Sequence, residues 1–195
     1  MKNTQLVDDT HFNDRDFSAA SGATLGATRY TECTFTRCDF TGANLGGIEF
    51  LDCSFVHCTF AQCSSRNTGL KTVRFEHCKL TGFNFADCSG FLFAIEVSHC
   101  ALDYANFSSM RLQKTVFDSC SLKEAEFTET DLTEAVFNKC NVDGAYFDRC
   151  TLKKTDFRTA TNLVLDPERN SLNGARISLD GALGLLAKYG VEIEM

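Results

Sequence analysis

The chain has 195 residues and a formal net charge of −7; 44% of its residues are hydrophobic and 23% are charged. These proportions exclude a disordered chain, and the negative charge argues against a protein that neutralises nucleic-acid phosphates with a basic patch. Because no apolar run approaches the roughly 18 residues of a membrane span and the acidic N-terminus is unlike a signal peptide, we expect a cytoplasmic protein with no membrane and no direct nucleic-acid partner.

Three residue types depart from average usage: phenylalanine with 18 copies, cysteine with 11 and proline with 1. An odd number of cysteines excludes a complete set of intramolecular disulfides, and their abundance without a secretory signal indicates a reducing compartment. No two cysteines have the C-x-x-C spacing of zinc ribbons or thioredoxin-like proteins.

A large apolar residue recurs at every fifth position, and each such position is called a centre, i. Of 26 centres, 25 are large and apolar, and the exception is Ser65. A two-residue slip separates the two runs. The centres are Leu25, Tyr30, Phe35, Phe40, Leu45, Phe50, Phe55, Phe60, Ser65, Leu70, Phe75, Leu80 and Phe85, followed by Val97, Leu102, Phe107, Leu112, Phe117, Leu122, Phe127, Leu132, Phe137, Val142, Phe147, Leu152 and Phe157.

A second position, i−2, carries every cysteine of the chain, and its other residues are mostly Ala or Thr. We therefore predict two inward sites in each unit, one for a large side chain and one for a small side chain. The polar residues at i−1, i+1 and i+2 are expected to point outward. The cysteines at i−2 are Cys33, Cys38, Cys53, Cys58, Cys63, Cys78, Cys88, Cys100, Cys120, Cys140 and Cys150.

A period of five fits neither the 3.6 residues of a helical turn nor the two-residue alternation of a flat strand. It fits a chain that turns a corner every five residues, so that four sides close a square coil. One coil cannot bury its own inward side chains, but stacked coils at the usual inter-strand spacing of about 4.8 Å form a continuous core.

Units such as Ala43-Asn44-Leu45, Ala105-Asn106-Phe107 and Thr155-Asp156-Phe157 resemble the A(D/N)LXX signature of pentapeptide-repeat proteins. The resemblance covers about residues 12–177. It implies an all-β fold, a right-handed quadrilateral parallel β-helix, which would have about eight coils and a length near 40 Å at strand spacing. We predict one solenoid over 1–177 and a separate C-terminal module over 178–195.

Along the chain, the repeat breaks at four places. Phe17 and Leu25 are eight residues apart, which predicts a bulge. Ser65 lacks an apolar side chain although the frame continues. The two-residue slip falls within 90–96, and the frame weakens at 160–170, which we interpret as an irregular last coil.

The C-terminal segment has the pattern of a short α-helix followed by a strand. Ser178 is a suitable N-cap, Gly190 a suitable stop, and 191–195 alternates apolar residues with Glu. The apolar helix face either caps the last coil or forms a self-complementary dimer surface, and we expect a homodimer. The predicted interface residues are Leu179, Ala182, Leu183, Leu186 and Tyr189.

No catalytic constellation appears in the sequence: there is no Gly-rich phosphate loop, no G-x-S-x-G, and the thiols occupy inward positions. We therefore expect a non-enzyme without a cofactor or a metal. His57, His77 and His99 all stand at i+2, so they should stack on one exposed side. Two interpretations of this column stay open, a weak metal site and a ring ladder that extends the stack of Arg37.

Acidic residues cluster in the second half of the sequence, and they define a candidate interaction surface. Solvation explains such residues in most proteins, but a rigid acidic rod could also present its field to a basic DNA-binding groove. The candidate residues are Asp118, Glu124, Glu126, Glu129, Asp131, Glu134, Asp143 and Asp148.

Three segments are similar to the subgroup of pentapeptide-repeat proteins that contains the Qnr-type, MfpA, McbG and AlbG proteins. These segments are SGFLFAIEVSHC at the slip, LVLDPERN before the tail, and SLDGALGLLAKYGVEIEM. The resemblance implies a DNA-mimicking protein that binds DNA gyrase or topoisomerase IV and modulates it, for example by protection from quinolones or from a gyrase-poisoning toxin. Around 60–70 and 108–117 the frame lacks the long loops of Qnr proteins from Gram-negative bacteria. The alternative is a protein–protein interaction scaffold with no topoisomerase target.

Overall fold

The protein is a parallel β-solenoid of about eight turns, a right-handed quadrilateral coil with one short helix at its C-terminal end. The structure is a computed structural model that describes residues 6–8, 11–15, 17–18 and 25–191. The predicted fold class is confirmed. In the described part of the chain, no helix is long and apolar enough to cross a membrane.

The strands are short, and they stack in parallel into two sheets. One sheet has the order β1-β3-β5-β7, and the other has the order β13-β12-β11-β10-β9-β8-β6-β4-β2. The strands are β1 (Leu6–Asp8), β2 (His11–Asn13), β3 (Arg29–Thr31), β4 (Thr34–Thr36), β5 (Glu49–Leu51), β6 (Ser54–Val56), β7 (Gly69–Lys71), β8 (Val73–Glu76), β9 (Ile95–Ser98), β10 (Val116–Asp118), β11 (Val136–Asn138), β12 (Asp156–Phe157) and β13 (Arg176–Ile177). Helix α1 spans Leu179–Gly184, and 3-10 turns span Phe85–Asp87 and Ala187–Tyr189.

Four faces follow from the register, in which each centre lies above the residue 20 positions earlier. Face 1 is the nine-stranded sheet, with Phe35 and Phe55 among its centres, and face 2 follows it along the chain with Phe40 and Phe60. Face 3 contains Leu45 and Phe127. Face 4, with the four-stranded sheet and centres such as Tyr30, Phe50 and Leu132, closes the coil.

Most corners are formed by the residue at i+2, which adopts the left-handed backbone conformation; Asp87 and Thr159 are exceptions. The φ angle is +50° at Arg37, +56° at His57, +53° at Glu124 and +61° at Lys114. We expected glycine and small polar residues to suit the corners, yet long charged side chains occupy many of them. The left-handed region is uncommon for residues with a Cβ atom, so the stacking of the coils must supply the free energy that holds them there.

The inward positions form the core that the repeat predicts. Successive phenylalanines on one face stack, as Phe107, Phe127 and Phe147 do with centroid distances of 5.0 and 4.8 Å, and rings on neighbouring faces meet edge to face. The cysteines are all free thiols; nine are buried, and Cys63 and Cys88 are half-buried. The Cys58 thiol, for example, donates to the backbone oxygen of Phe35 in the preceding coil, with an S–O distance of 3.3 Å.

The predicted slip is visible as a change of register. Phe75 pairs with Val97, an offset of 22 residues instead of 20, and the offset returns to 20 between Val97 and Phe117. Near the N-terminus Phe12 pairs with Phe35, an offset of 23, as the eight-residue gap before Leu25 requires. Most of the predicted bulge itself lies outside the described residues.

Ser65 occupies its inward position as a buried hydrogen-bonding residue. It is 2% exposed, and its hydroxyl donates to the backbone oxygen of Asn84 in the next coil at 2.6 Å. In that same coil the small-residue position holds Phe83, which is buried and packs against Phe60 and Phe85. We infer that the large ring at the small site compensates for the missing large side chain at the neighbouring centre.

The last coil and the tail follow the predicted outline only in part. Residues 162–170 contain no strand, and Asn170 takes the place of a small inward residue, accepting a hydrogen bond from the Cys150 amide at 2.9 Å. Ser178 caps α1 by accepting from the Gly181 amide at 3.0 Å, and Gly190 has a φ of +59°. Helix α1 is only six residues long, and the predicted strand over 191–195 lies almost entirely outside the described residues.

Candidate functional site

The eight candidate acidic residues do not lie on one surface. Glu124 and Asp143 lie on face 2, and Glu126, Glu129 and Asp148 lie on face 3, so these five occupy two adjacent sides. The other three lie elsewhere: Asp118 on face 1, and Asp131 and Glu134 on face 4.

The three acidic residues outside faces 2 and 3 have nearby partners. Asp118 accepts a hydrogen bond from Asn138 at 2.5 Å. Burial alone would raise the pKa of Asp131, but hydrogen bonds from Thr133 and Gln113 outweigh it and lower that pKa. Glu134 lies 3.9 Å from the ammonium group of one lysine and 3.8 Å from that of another, on the coils on either side of it. The charge of Glu134 is therefore balanced by two lysines, and that of Asp131 in part by the nearby Arg111, whereas Asp118 accepts from a neutral amide.

Faces 2 and 3 carry an excess of carboxylates, whereas face 4 does not. On face 2 the charged residues of the described chain are Asp39, Asp103, Glu124 and Asp143 against Arg15, Lys79 and Lys123. On face 3, before the last coil, they are Asp87, Glu126, Glu129 and Asp148 against Arg66 and Arg149. On face 4 they are Asp8, Glu32, Glu49, Asp52, Asp131 and Glu134 against Arg29, Lys71, Arg111, Lys114, Lys153 and Lys154. Carboxylates therefore outnumber cations on faces 2 and 3 of the described chain, whereas the two are equal in number on face 4.

The carboxylates of faces 2 and 3 differ in their availability to a partner. Glu124 and Asp143 are exposed, and Glu124 accepts a hydrogen bond from Tyr104 at 3.1 Å. Asp148 is 3% exposed and lies between two guanidinium groups, those of Arg149 at 3.3 Å and Arg169 at 2.5 Å. Asp148 is therefore structural, and Glu124 and Asp143 are the more accessible anions.

The three histidines form the predicted column at the corner of faces 1 and 2. The rings of His57 and His77 lie 4.8 Å apart and those of His77 and His99 4.7 Å apart, nearly parallel in both cases. Stacked rings direct their nitrogen lone pairs side by side instead of toward one point, which does not suit a metal ion. No group of three or more His, Cys, Asp or Glu side chains in the described part of the chain could hold a metal ion.

An apolar cluster lies at the C-terminal end of the rod. Of the predicted interface residues, Leu179 is 80% exposed, Tyr189 55% and Leu186 40%, whereas Ala182 and Leu183 are half-buried. Val164 from the last coil and Val191 after the helix are also exposed, and the sequence pattern did not indicate either as part of this surface. The Lys188 ammonium bonds to Asp166 at 2.6 Å and thereby lowers the pKa of that carboxyl, which attaches the tail to the last coil.

The groove at the slip was not predicted from the sequence, although the segment SGFLFAIEVSHC that borders it was singled out. The two extra residues place Phe91 and Leu92 on the surface, where they are 68% and 67% exposed. Beside them runs a depression across face 4 toward face 1, bordered by Phe93 on one side and by Arg111 and Val116 on the other. The aromatic run in SGFLF could have indicated this groove from the sequence, because a phenylalanine that points outward departs from the repeat, in which phenylalanines point inward.

The comparisons with known proteins agree with the fold. The family model for a pentapeptide repeat region matches residues 28–107, and the model for pentapeptide repeats in eight copies matches residues 98–138 and 125–161. Together they span residues 28–161, and the chain belongs to the pentapeptide-repeat family. No curated protein sequence matches the chain.

Several solved structures are similar over most of the chain. Full-length QnrB1, described as a plasmid-mediated fluoroquinolone resistance protein, is 19% identical and covers 97% of this chain and 100% of its own, with a TM-score of 0.48. A trypsin-treated form of a QnrB1 variant is 21% identical, covers 98% of each chain and has the same TM-score. HetL, a pentapeptide-repeat protein involved in heterocyst differentiation regulation in Nostoc sp. Strain PCC 7120, is 16% identical, covers 89% of this chain and 84% of its own, and has a TM-score of 0.34.

Proposed function

We propose that this protein acts by binding and not by catalysis, as a DNA-mimicking dimer that occupies the DNA-binding groove of gyrase or topoisomerase IV. The observation that carries the proposal is the concentration of carboxylates on faces 2 and 3. Residues on successive coils are spaced by about 4.8 Å, so the carboxylates of these faces are held at multiples of one spacing along a rigid rod. The choice of a topoisomerase as the target rests on the sequence resemblance of the slip, the last coil and the tail.

The dimer is supported by the apolar cluster at the end of the rod. Exposed side chains such as Leu179, Leu186 and Tyr189 would be a liability on a monomer. Their burial against a second copy would contribute roughly 1.5–3 kcal/mol for each large side chain. A two-fold axis at this end would double the rod to about 75–80 Å and present the same acidic faces to both halves of a two-fold symmetric enzyme.

A supercoiling titration of purified gyrase tests the target. The wild type should reduce supercoiling in the absence of drug if it inhibits, or restore supercoiling in the presence of a fluoroquinolone if it protects. The variant Glu124→Lys with Asp143→Lys should shift the effective concentration by about tenfold or more, which equals about 1.4 kcal/mol. The matched control is Glu134→Lys, an exposed carboxylate on face 4 that should leave the titration unchanged. A wild type without effect in both arms, or equal shifts for the two variants, would remove the DNA-mimic proposal.

Light scattering tests the dimer separately. Leu179→Asp with Leu186→Asp should give a monomer, because two charges would enter the apolar contact. Leu92→Asp, which changes a leucine at the slip that is 67% exposed, should stay dimeric. A double variant that remains dimeric places the interface elsewhere.

The second candidate function is a scaffold that binds another protein through a different surface. The groove at the slip favours it, because this groove is neither acidic nor near the tail. A protein that binds partners through the groove but leaves gyrase unaffected would support the scaffold.

A further inference from the structure

The backbone ladder is interrupted on face 4 at the slip. On this face the amide at i−1 normally donates to the preceding coil: Asp131 to the Met110 oxygen at 2.9 Å, and Thr151 to the Thr130 oxygen at 3.0 Å. The equivalent amide of Arg111 makes no such bond in the part of the chain that the structure describes, and no bridge pairs Arg111 with Ser89. The four-stranded sheet accordingly ends at β7.

The interruption has a local cause in the sequence. The two extra residues of the slip direct the segment from Gly90 to Phe93 away from the following coil, and Leu92 takes a left-handed φ of +55° there. Face 1 restores its pairing at Val97 and Phe117, so the gap lies on face 4 and at its two corners. The coil that begins at Arg111 therefore presents an unpaired strand edge on this face.

The gap is large enough for a polypeptide segment. It forms a depression of about 530 Å³ with Phe93, Ile95 and Val116 as its apolar lining. A second depression of similar volume continues it past Leu92 and Met110 toward face 3. An extended chain laid along face 4 would meet free backbone groups and apolar side chains together, which are the two requirements for strand addition.

The charge of the groove selects the occupant. Arg111 forms no salt bridge within the described residues, and Lys114 makes only a long contact of 3.9 Å with Glu134 while its side chain is 78% exposed. The arginine on the opposite side, Arg74, is already paired with Glu96 at 2.8 Å. Arg111 lies near Asp131 and helps to lower the pKa of that carboxyl, so its charge is balanced in part. The charged side chains that line the groove are Arg74, Arg111 and Lys114 against Glu96 and Asp118, an excess of one positive charge on a protein whose net charge is −7.

We propose that this groove binds an extended segment of a partner protein in which acidic side chains alternate with apolar ones, by adding it as a strand beside Arg111. The apolar side chains would contact Phe93 and Val116, and a carboxylate would pair with Arg111. The groove lies on face 4 and at its corners with faces 1 and 3, so it does not include Glu124 or Asp143. A partner bound there leaves these two carboxylates free, so this proposal does not depend on the topoisomerase proposal.

Binding of three short synthetic peptides to the wild-type protein, followed by fluorescence anisotropy, tests the occupant. In the first peptide valine alternates with glutamate, and in the second valine alternates with lysine. The third repeats the first with methylated backbone amides on the pairing edge. We expect the glutamate peptide to bind at least roughly tenfold more tightly than the lysine peptide. The methylated peptide should not bind, because strand addition needs its amides.

Two variants of Arg111 and one control variant test whether the peptide binds in the groove. Arg111→Glu should abolish the preference for the glutamate peptide, and Arg111→Gln should weaken it. Lys153→Glu is the matched control, since it reverses an exposed cation on the same face outside the groove and should change nothing. Absence of binding by the wild type, equal binding of the methylated peptide, or equal effects of Arg111→Glu and Lys153→Glu would each overturn the proposal.

Hydrogen exchange gives a readout that does not depend on a variant. The Arg111 amide should exchange rapidly in the free wild-type protein, while the hydrogen-bonded amides of Asp131 and Thr151 should be protected. Addition of the glutamate peptide should slow exchange at Arg111 and leave the other two unchanged. An Arg111 amide that is already protected in the free protein would contradict the open strand edge.

Discussion

Replacement of Phe40 by aspartate tests the inward assignment on which the whole fold depends. Phe40 is fully buried and stacks on Phe60 at 4.8 Å, with edge contacts to Phe35 and Phe55 at 5.8 Å each. Loss of the ring alone costs about 3–5 kcal/mol, and an unpaired carboxylate at the same position adds several more. Because the total stability of a domain is about 5–15 kcal/mol, we expect Phe40→Asp to be unfolded.

Thermal unfolding followed by circular dichroism at one protein concentration measures the effect. The milder Phe40→Ala removes the ring without adding a charge and should lower Tm by roughly 6–20 °C. The outward control is Thr81→Asp, which is exposed and should change the stability by no more than about 0.5 kcal/mol. Thr41 stands at the equivalent position on the same face but is less suitable as a control. Its hydroxyl already donates to Asp39 at 2.6 Å, so an aspartate at this position would place two carboxylates next to each other. Equal melting temperatures for Phe40→Asp and Thr81→Asp would refute the inward and outward assignment.

Three further predictions concern the thiols and the tail. Burial raises the pKa of the Cys53 thiol to about 12, so Ellman's reagent at pH 8 should label Cys53 in the native protein far more slowly than in urea; prompt native labelling would contradict its burial. A hydrogen bond from Lys188 lowers the pKa of Asp166 below its usual 3.8, so this contact stabilises the tail above about pH 4. The stabilisation is lost as the pH falls through the lowered pKa that Asp166 has in the folded protein. Proteolysis of the tail should therefore increase in that acidic range, and Lys188→Ala should show the increase already at pH 7. A Cβ atom on Gly184 would lie 1.9 Å from the backbone oxygen of Leu163, so Gly184→Ala should displace α1 at a cost of about 1–3 kcal/mol, visible as faster hydrogen exchange in the tail.

The solenoid could be predicted from the sequence because its rule is local and repeats many times. Each centre such as Phe117 and each small residue such as Cys120 has the same neighbours in every coil, so a single period fixes which side chains point inward. The slip could be predicted equally well, because an insertion that is not a multiple of five must shift the register, as it does between Phe75 and Val97.

The functional surfaces were harder to predict from the sequence, because they depend on which face of the solenoid a residue occupies. Glu129 and Glu134 are five positions apart in the sequence and were assigned to one cluster, but a corner separates them, and they lie on faces 3 and 4. Residues 20 apart are the true neighbours, as Glu134 and Lys154 show. The unpaired Arg111 amide could not be predicted either, since it reflects how the extra residues of the slip are accommodated and not which residues they are.

The interrupted ladder has a consequence for the stiffness of the rod. Hydrogen bonds between coils run along the long axis, and most junctions are held on face 4 as well as on face 1. At the slip the junction keeps its pairing on face 1, while face 4 has no such bond at Arg111. Faces 2 and 3 also stay paired at this junction, through Lys79 with Ala101 and Asn84 with Asn106. Curvature imposed by a partner should therefore concentrate at this junction and open toward face 4, where the bond at Arg111 is missing, so that the rod does not bend as a uniform spring.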